Sequence, residues 1–103
     1  MDESKVQSMS ATEALLRDLI SDGERFGLEL VATSGGRVKR GSVYVTLSRM
    51  EAKGFVESRQ EERAPGAIGL PRRLYKATPY GLTVRQAYQS LQQAISLRPA
   101  EAR

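Results

Sequence analysis

The chain has 103 residues, a formal net charge of +4, and neither cysteine nor histidine. These two absences exclude disulfides, thiolate metal sites and cysteine nucleophiles, and they remove the commonest general base and zinc ligand. No apolar run approaches the roughly 18 residues of a membrane helix, and no signal-peptide core opens the chain, so a single small cytoplasmic domain with no membrane attachment is expected. The basic excess favours nucleic acid as partner over acidic small molecules. A core this modest would gain from oligomerisation.

Residues 1–9 are polar and unpatterned and read as a disordered tail. Ser10 with Glu13 fits a capping box, in which the serine caps the first turn and the glutamate reaches back to its amide. Leu15, Leu16, Leu19 and Ile20 follow at helical spacing, and Gly23 is placed to end this helix in a left-handed cap. A second, short helix is expected over residues 25–34, with Phe26, Leu30 and Val31 as its apolar stripe. Gly27 inside it costs helix stability and implies close packing against a neighbour.

Residues 39–54 form the third and most informative helix. At about 100° per residue, Val43, Leu47 and Met50 share one narrow core-facing arc. The opposite arc holds Gly41, Val45, Ser48 and Ala52, all small or short. Ser42, Thr46, Arg49 and Lys53 run down one flank, and Arg40, Tyr44 and Glu51 down the other. An ordinary solvent face would carry long charged side chains at its centre. A face that is small in the middle and basic at its edges can lie against a bulky anion such as the DNA major groove. Three helices in this order, the middle one short, make a helix-turn-helix.

Beyond Gly54 the period changes. Residues 55–61 are a strand candidate, residues 64–71 a loop with two prolines and two glycines, and residues 72–77 the returning strand. A strand, loop and strand after a helix-turn-helix is a wing. Thr78 as N-cap and Pro79 at the first helical position open a last helix to about Leu97. Tyr80, Val84, Tyr88, Leu91 and Ile95 line one seam of it. The seam is too short for a stable coiled coil alone, and a second copy of the chain would complete it.

The chain resembles the PadR-type transcriptional regulators, a winged-helix family. The resemblance rests on residues 25–30, on Gly41, Ser42, Val43, Tyr44 and Leu47, on residues 51–58 at the helix-to-strand joint, and on residues 71–81 across the second strand. It spans about residues 12–85. It implies a mainly α fold with a small β wing: a winged helix-turn-helix domain over residues 10–78, a C-terminal dimerisation helix over 79–98, and a tail over 99–103. It also implies a homodimeric repressor that binds double-stranded DNA at an inverted-repeat operator through the third helix and the wing. The sequence departs from the family pattern at Lys39, where members usually carry serine, and at Val45, where proline often follows the tyrosine. Its C-terminal part is a single short helix, and no small-molecule effector is assigned.

In such a frame Arg37, Lys39, Arg40, Arg49 and Lys53 are candidates for phosphate contacts. Ser42, Val45, Thr46 and Arg49 are candidates for reading bases, Arg49 through guanine and Val45 and Thr46 through thymine methyls. Tyr44 reads as a half-buried ring whose hydroxyl reaches a phosphate. Arg72 and Arg73 end the wing loop, one of them directed at the minor groove or backbone, with Arg63 at the loop's other end. Leu15, Leu19, Tyr80, Val84, Tyr88, Leu91 and Ile95 are the expected dimer interface. Asp18, Asp22, Glu24 and Glu29 have no reason to converge, so neither a metal site, a cofactor nor an enzyme is expected. The competing reading is a winged helix used for protein contacts, or for sequence-neutral DNA binding in replication or plasmid maintenance.

Overall fold

Ser10 opens the first helix through a complete capping box: Glu13 N–H donates to Ser10 Oγ at 3.1 Å, and Ser10 N–H donates to Glu13 Oε1 at 2.9 Å. The structure, a computed structural model, describes residues 7–96, so the expectations for residues 1–6 and 97–103 lie outside it. Helix α1 spans Ala11–Leu19 and is followed by strand β1 (Arg25–Phe26), helix α2 (Gly27–Thr33) and helix α3 (Val43–Ala52). Strands β2 (Val56–Gln60) and β3 (Arg73–Ala77) come next, and helix α4 (Pro79–Ser96) closes the described chain. Together they form a winged helix-turn-helix with an added C-terminal helix.

The sheet has three antiparallel strands in the order β1-β3-β2. Arg25 lies opposite Tyr75 and Phe26 opposite Leu74, while β2 pairs with β3 from Val56↔Ala77 to Gln60↔Arg73. The expected helix over residues 25–34 therefore begins two residues late, because Arg25 and Phe26 complete the edge of the wing instead. Glu29 then braces the new start, its carboxylate accepting from Phe26 N–H at 3.1 Å. Gly23 does not make the expected left-handed cap. It lies beyond the C-cap Ile20, in a turn with φ 156°.

Val43, Leu47 and Met50 are fully buried, as their arc requires, against Leu16, Ile20, Leu30 and Phe55. Gly54 ends α3 at φ 85°, in the left-handed region that glycine enters without steric cost. Its amide donates to Glu51 O and that of Phe55 to Met50 O, which is the Schellman pattern. The turn throws Phe55 into the core and launches β2. Gly27 meets the close packing its sequence position implies: a Cβ there would lie 2.5 Å from the Tyr44 ring.

Thr78 caps α4 as expected, its Oγ accepting from Gly81 N–H at 2.9 Å. The first half of α4 packs on its own protomer. Val84 is buried, Tyr80 stacks on Phe55 with ring centroids 5.9 Å apart, and Tyr88 packs against the core beside Leu15 and Leu19. The seam thus divides: Val84, Tyr88, Leu15 and Leu19 pack on the chain's own core, Tyr80 stacks on Phe55 but stays 40% exposed, and Leu91 and Ile95 are each more than half exposed. Residues 7–9 depart from the loose tail expected of them. Met9 is buried, its N–H donates to Tyr88 Oη, and that of Gln7 donates to Tyr80 Oη, both at 3.4 Å.

Candidate nucleic-acid interface

The outward side of α3 carries exposed Ser42, Tyr44, Val45, Ser48 and Arg49, with Lys39, Arg40 and Gly41 in the turn that leads into it. Val45 is 60% exposed, so it does not pack beneath the wing. The helix itself starts at Val43, four residues later than expected, and Ser42 as N-cap makes no side-chain cap bond. Among the described residues the amides of Tyr44 and Val45 have no acceptor. Unsatisfied N–H groups and the positive end of the helix dipole make this turn receptive to a phosphate oxygen.

The cations divide into two groups. Among the described residues Lys39, Arg40 and Arg49 have no carboxylate within ion-pair distance, whereas Arg25, Lys53, Arg59, Arg63, Arg72, Lys76 and Arg85 all do. Arg37, Arg73 and the buried Arg17 likewise have no such partner among the described residues, so the charges around α3 are left available but are not alone in that.

Three of the residues expected to contact DNA are engaged within the chain. Thr46 is 8% exposed and donates its hydroxyl to Ser42 O at 3.1 Å. Lys53 turns inward, its ammonium bonded to both oxygens of the fully buried Glu13 at 3.0 and 3.1 Å and to Ser8 O at 2.9 Å. Arg72 lies over the Phe26 ring, 3.7 Å from its centroid, and grips the Glu61 carboxylate. That grip, together with the Arg72 N–H bond, pulls the Glu61 pKa down to about 2, and the same carboxylate raises that of Arg72. Arg37 stands apart as well, lining a cleft of about 350 Å³ with Leu15 and Asp18 of α1 and Arg85 and Tyr88 of α4.

Arg73, exposed like Arg72, differs from it in having no carboxylate within ion-pair distance among the described residues. It donates to Ser58 Oγ at 3.0 Å, and that hydroxyl bonds the Glu51 carboxylate. With Phe26, Leu28, Tyr44, Leu70 and Pro71 it lines a groove of about 510 Å³ between α2, α3 and the wing. Tyr44, 46% exposed, lies across the groove, a half-buried ring as its flank position suggests.

The wing loop, expected over residues 64–71, carries two exposed aliphatic side chains that the sequence pattern does not single out. Ile68 and Leu70 are 92% and 87% exposed, and Arg63 donates to the carbonyls of both, at 2.6 and 2.9 Å. Two isolated aliphatics between glycines and prolines, outside any strand period, were the signal available.

The four acidic residues near one another are each engaged separately. Asp18 pairs with Arg85, Asp22 with Arg25, and Glu24 with Arg59, while Glu29 holds Phe26 N–H. The bond from Arg59 lowers the Glu24 pKa. Among the described residues no three acidic groups gather into a cation site, and no helix is long and apolar enough to cross a membrane.

The model of the transcriptional regulator PadR-like family matches residues 15–87. A PadR family transcription regulator from hypervirulent Clostridium difficile superposes with a TM-score of 0.68 at 21% identity, over 85% of this chain and 93% of that one. Bacillus subtilis PadR, in complex with operator DNA, gives 0.68 at 18% identity over 80% of this chain and 48% of that one. Diamide-treated YodB from B. subtilis gives 0.71 at 16% identity, over 86% and 82%. At these identities the likeness is one of fold. No curated protein sequence matches the chain.

Proposed function

The chain belongs to the PadR-like family of transcriptional regulators, and on that footing we propose that it is a cytoplasmic repressor that binds an inverted-repeat DNA operator as a homodimer. The observation that carries this reading is the division of its cations. Among the described residues Lys39, Arg40 and Arg49, around one exposed helix, have no carboxylate partner, nor has Arg73 at the wing base, while Arg25, Lys53, Arg59, Arg63, Arg72, Lys76 and Arg85 are paired internally. Unpaired cations flanking a short-side-chain face suit a groove walled by phosphates.

In this reading α3 enters the major groove. Ser42, Val45 and Arg49 face base edges, with Arg49 able to present two donors to one guanine. Lys39, Arg40, the Tyr44 hydroxyl and the amides at the start of α3 hold the flanking phosphates, and Arg73 holds the backbone beside the wing. The C-terminal half of α4 joins two protomers and sets the distance between their α3 helices, so that two half-sites about one helical turn apart are met at once. No catalytic step and no cofactor enter the mechanism. Binding and release alone regulate.

Selection of bound duplexes from a random pool at physiological salt tests the proposal. An enriched inverted repeat is the expected result. Binding without enrichment would favour sequence-neutral DNA binding, and absence of binding would favour a protein-contact module.

A further inference from the structure

We propose that the wing works as an apolar wedge, with Ile68 entering the DNA minor groove and opening a base step. Leu70 and Tyr44 cover the sugar-phosphate wall next to it. The inference rests on the DNA-binding reading above and specifies how the wing takes part in it.

The wing's own arginines motivate it. A wing tip that held DNA by charge would leave its cations free of carboxylates. Here Arg72 is bound to Glu61 and stacked on Phe26, and Arg63 spends its guanidinium on the carbonyls of Ile68 and Leu70, with Glu61 3.8 Å away. What remains at the tip is Ile68, 92% exposed, and Leu70, 87% exposed. Arg63 braces the backbone on which both side chains stand, and Ala67 N–H closes a turn on Ala64 O at 3.1 Å. The tip therefore presents its aliphatic groups from a tied frame.

Position and size select the occupant. Leu70 lines the same groove as Tyr44 of α3 and Arg73, so the apolar tip continues the face that carries the unpaired cations. Two side chains are far too little for a protein interface, which needs about 800 Å² from each partner. One or two aliphatic side chains are what minor-groove proteins insert between base steps, where they unstack the pair and kink the duplex. Arg73, which lines the same groove as Leu70, matches a phosphate that would flank such an insertion.

The test uses the full chain and the duplex recovered from the random pool, with 2-aminopurine placed in turn at each step flanking the half-sites. Wild-type protein at saturation should brighten the probe at one flanking step. Ile68→Ser should abolish that brightening and weaken binding roughly ten- to a hundredfold, the value of burying one isoleucine side chain. The slope of log affinity against log salt should stay unchanged, because no charge is removed. Ile68→Leu should retain the signal. With Ile68 almost wholly exposed, its removal leaves the core intact, which an unchanged melting curve checks. Brightening at no step under saturating wild type, or equal brightening with Ile68→Ser, would overturn the wedge while leaving DNA binding in place. A loss of self-association by Ile68→Ser without DNA would overturn it too, by assigning the tip to a protein contact. If the pool returns no repeat, the same probe in mixed-sequence duplex gives the same decision, and failure to bind either duplex removes the DNA reading along with the wedge.

Discussion

Arg49 and Arg73 are both exposed, and in the proposed DNA-binding reading their surroundings give them different tasks. Arg49 stands on α3 beside Ser42 and Val45 with no carboxylate to restrain it, whereas Arg73 is held at the wing base by Ser58. Arg49→Ala is expected to relax preference at one base position by about 1–3 kcal/mol, while Arg73→Ala weakens all sequences alike and flattens the salt slope by about one unit. Competition binding against single-base operator variants at several salt concentrations separates the two, and identical behaviour would refute the division. Glu61 makes a further test at this scale. Its carboxyl sits at about 2 instead of the ordinary 4.5 because Arg72 donates to it from side chain and backbone. A depressed carboxylate adds stability that is fully present above about 4.5 and is lost as pH falls through about 2. A carboxyl-carbon NMR titration should place the Glu61 midpoint near 2, and Arg72→Ala should return it toward 4.5.

The tie between α1 and α3 shows where a helical pattern stops being informative. Lys53 occupies the basic flank of α3 in sequence and looks like a phosphate anchor. In the fold it neutralises Glu13, 40 positions away, which is fully buried. Lys53→Met would leave that carboxylate buried and unpaired, and is expected to cost about 3 kcal/mol, toward the low end for a broken buried pair because the Lys53 side chain is itself 20% exposed. The melting temperature should fall by more than about 10 °C, Glu13→Gln in the same chain should restore most of it, and the DNA salt slope should not move. A flattened slope with unchanged stability would return Lys53 to the anchors. The legible features were local or strongly periodic: the Ser10–Glu13 box, the Val43, Leu47 and Met50 stripe, and the Thr78 cap. The illegible ones depend on distant partners. Arg25 and Phe26 become a strand only because Leu74 and Tyr75 lie across from them, and Arg72 folds back along the wing surface only because Glu61 and Phe26 meet it. Thr46 adjoins the core arc by a fraction of a turn, too small an angle for periodicity to assign it to one side. Nor does an apolar stripe register Arg17, which α1 buries with its Nε unpartnered and whose pKa burial lowers.

At the scale of the whole molecule the proposed dimer has to set one α3 against another. The α4 seam is continuous in sequence, yet the protomer's core claims its first half, with Val84 buried and Tyr80 on Phe55. Leu91 and Ile95, 56% and 57% exposed, continue the same face past the point where the domain can cover them. Two such side chains per protomer are few, so any dimer must also draw on neighbouring surface, and the α1–α4 cleft beside Leu15 and Arg37 is adjacent to them. Leu91→Glu places a charge on the uncovered half and is expected to give a folded monomer by ultracentrifugation, with an unchanged melting profile at low protein concentration. Val84→Glu places the charge in the core and should unfold the protomer. The pair of variants distinguishes a seam from a core stripe, which neither does alone. A monomeric Leu91→Glu should also lose most affinity for the full inverted repeat while keeping wild-type affinity for an isolated half-site, because its α3 is untouched and only the linkage between two binding events is gone. If Leu91→Glu remained a dimer with full affinity, the joint between protomers would lie elsewhere, and the spacing of the half-sites would be set by a surface other than α4.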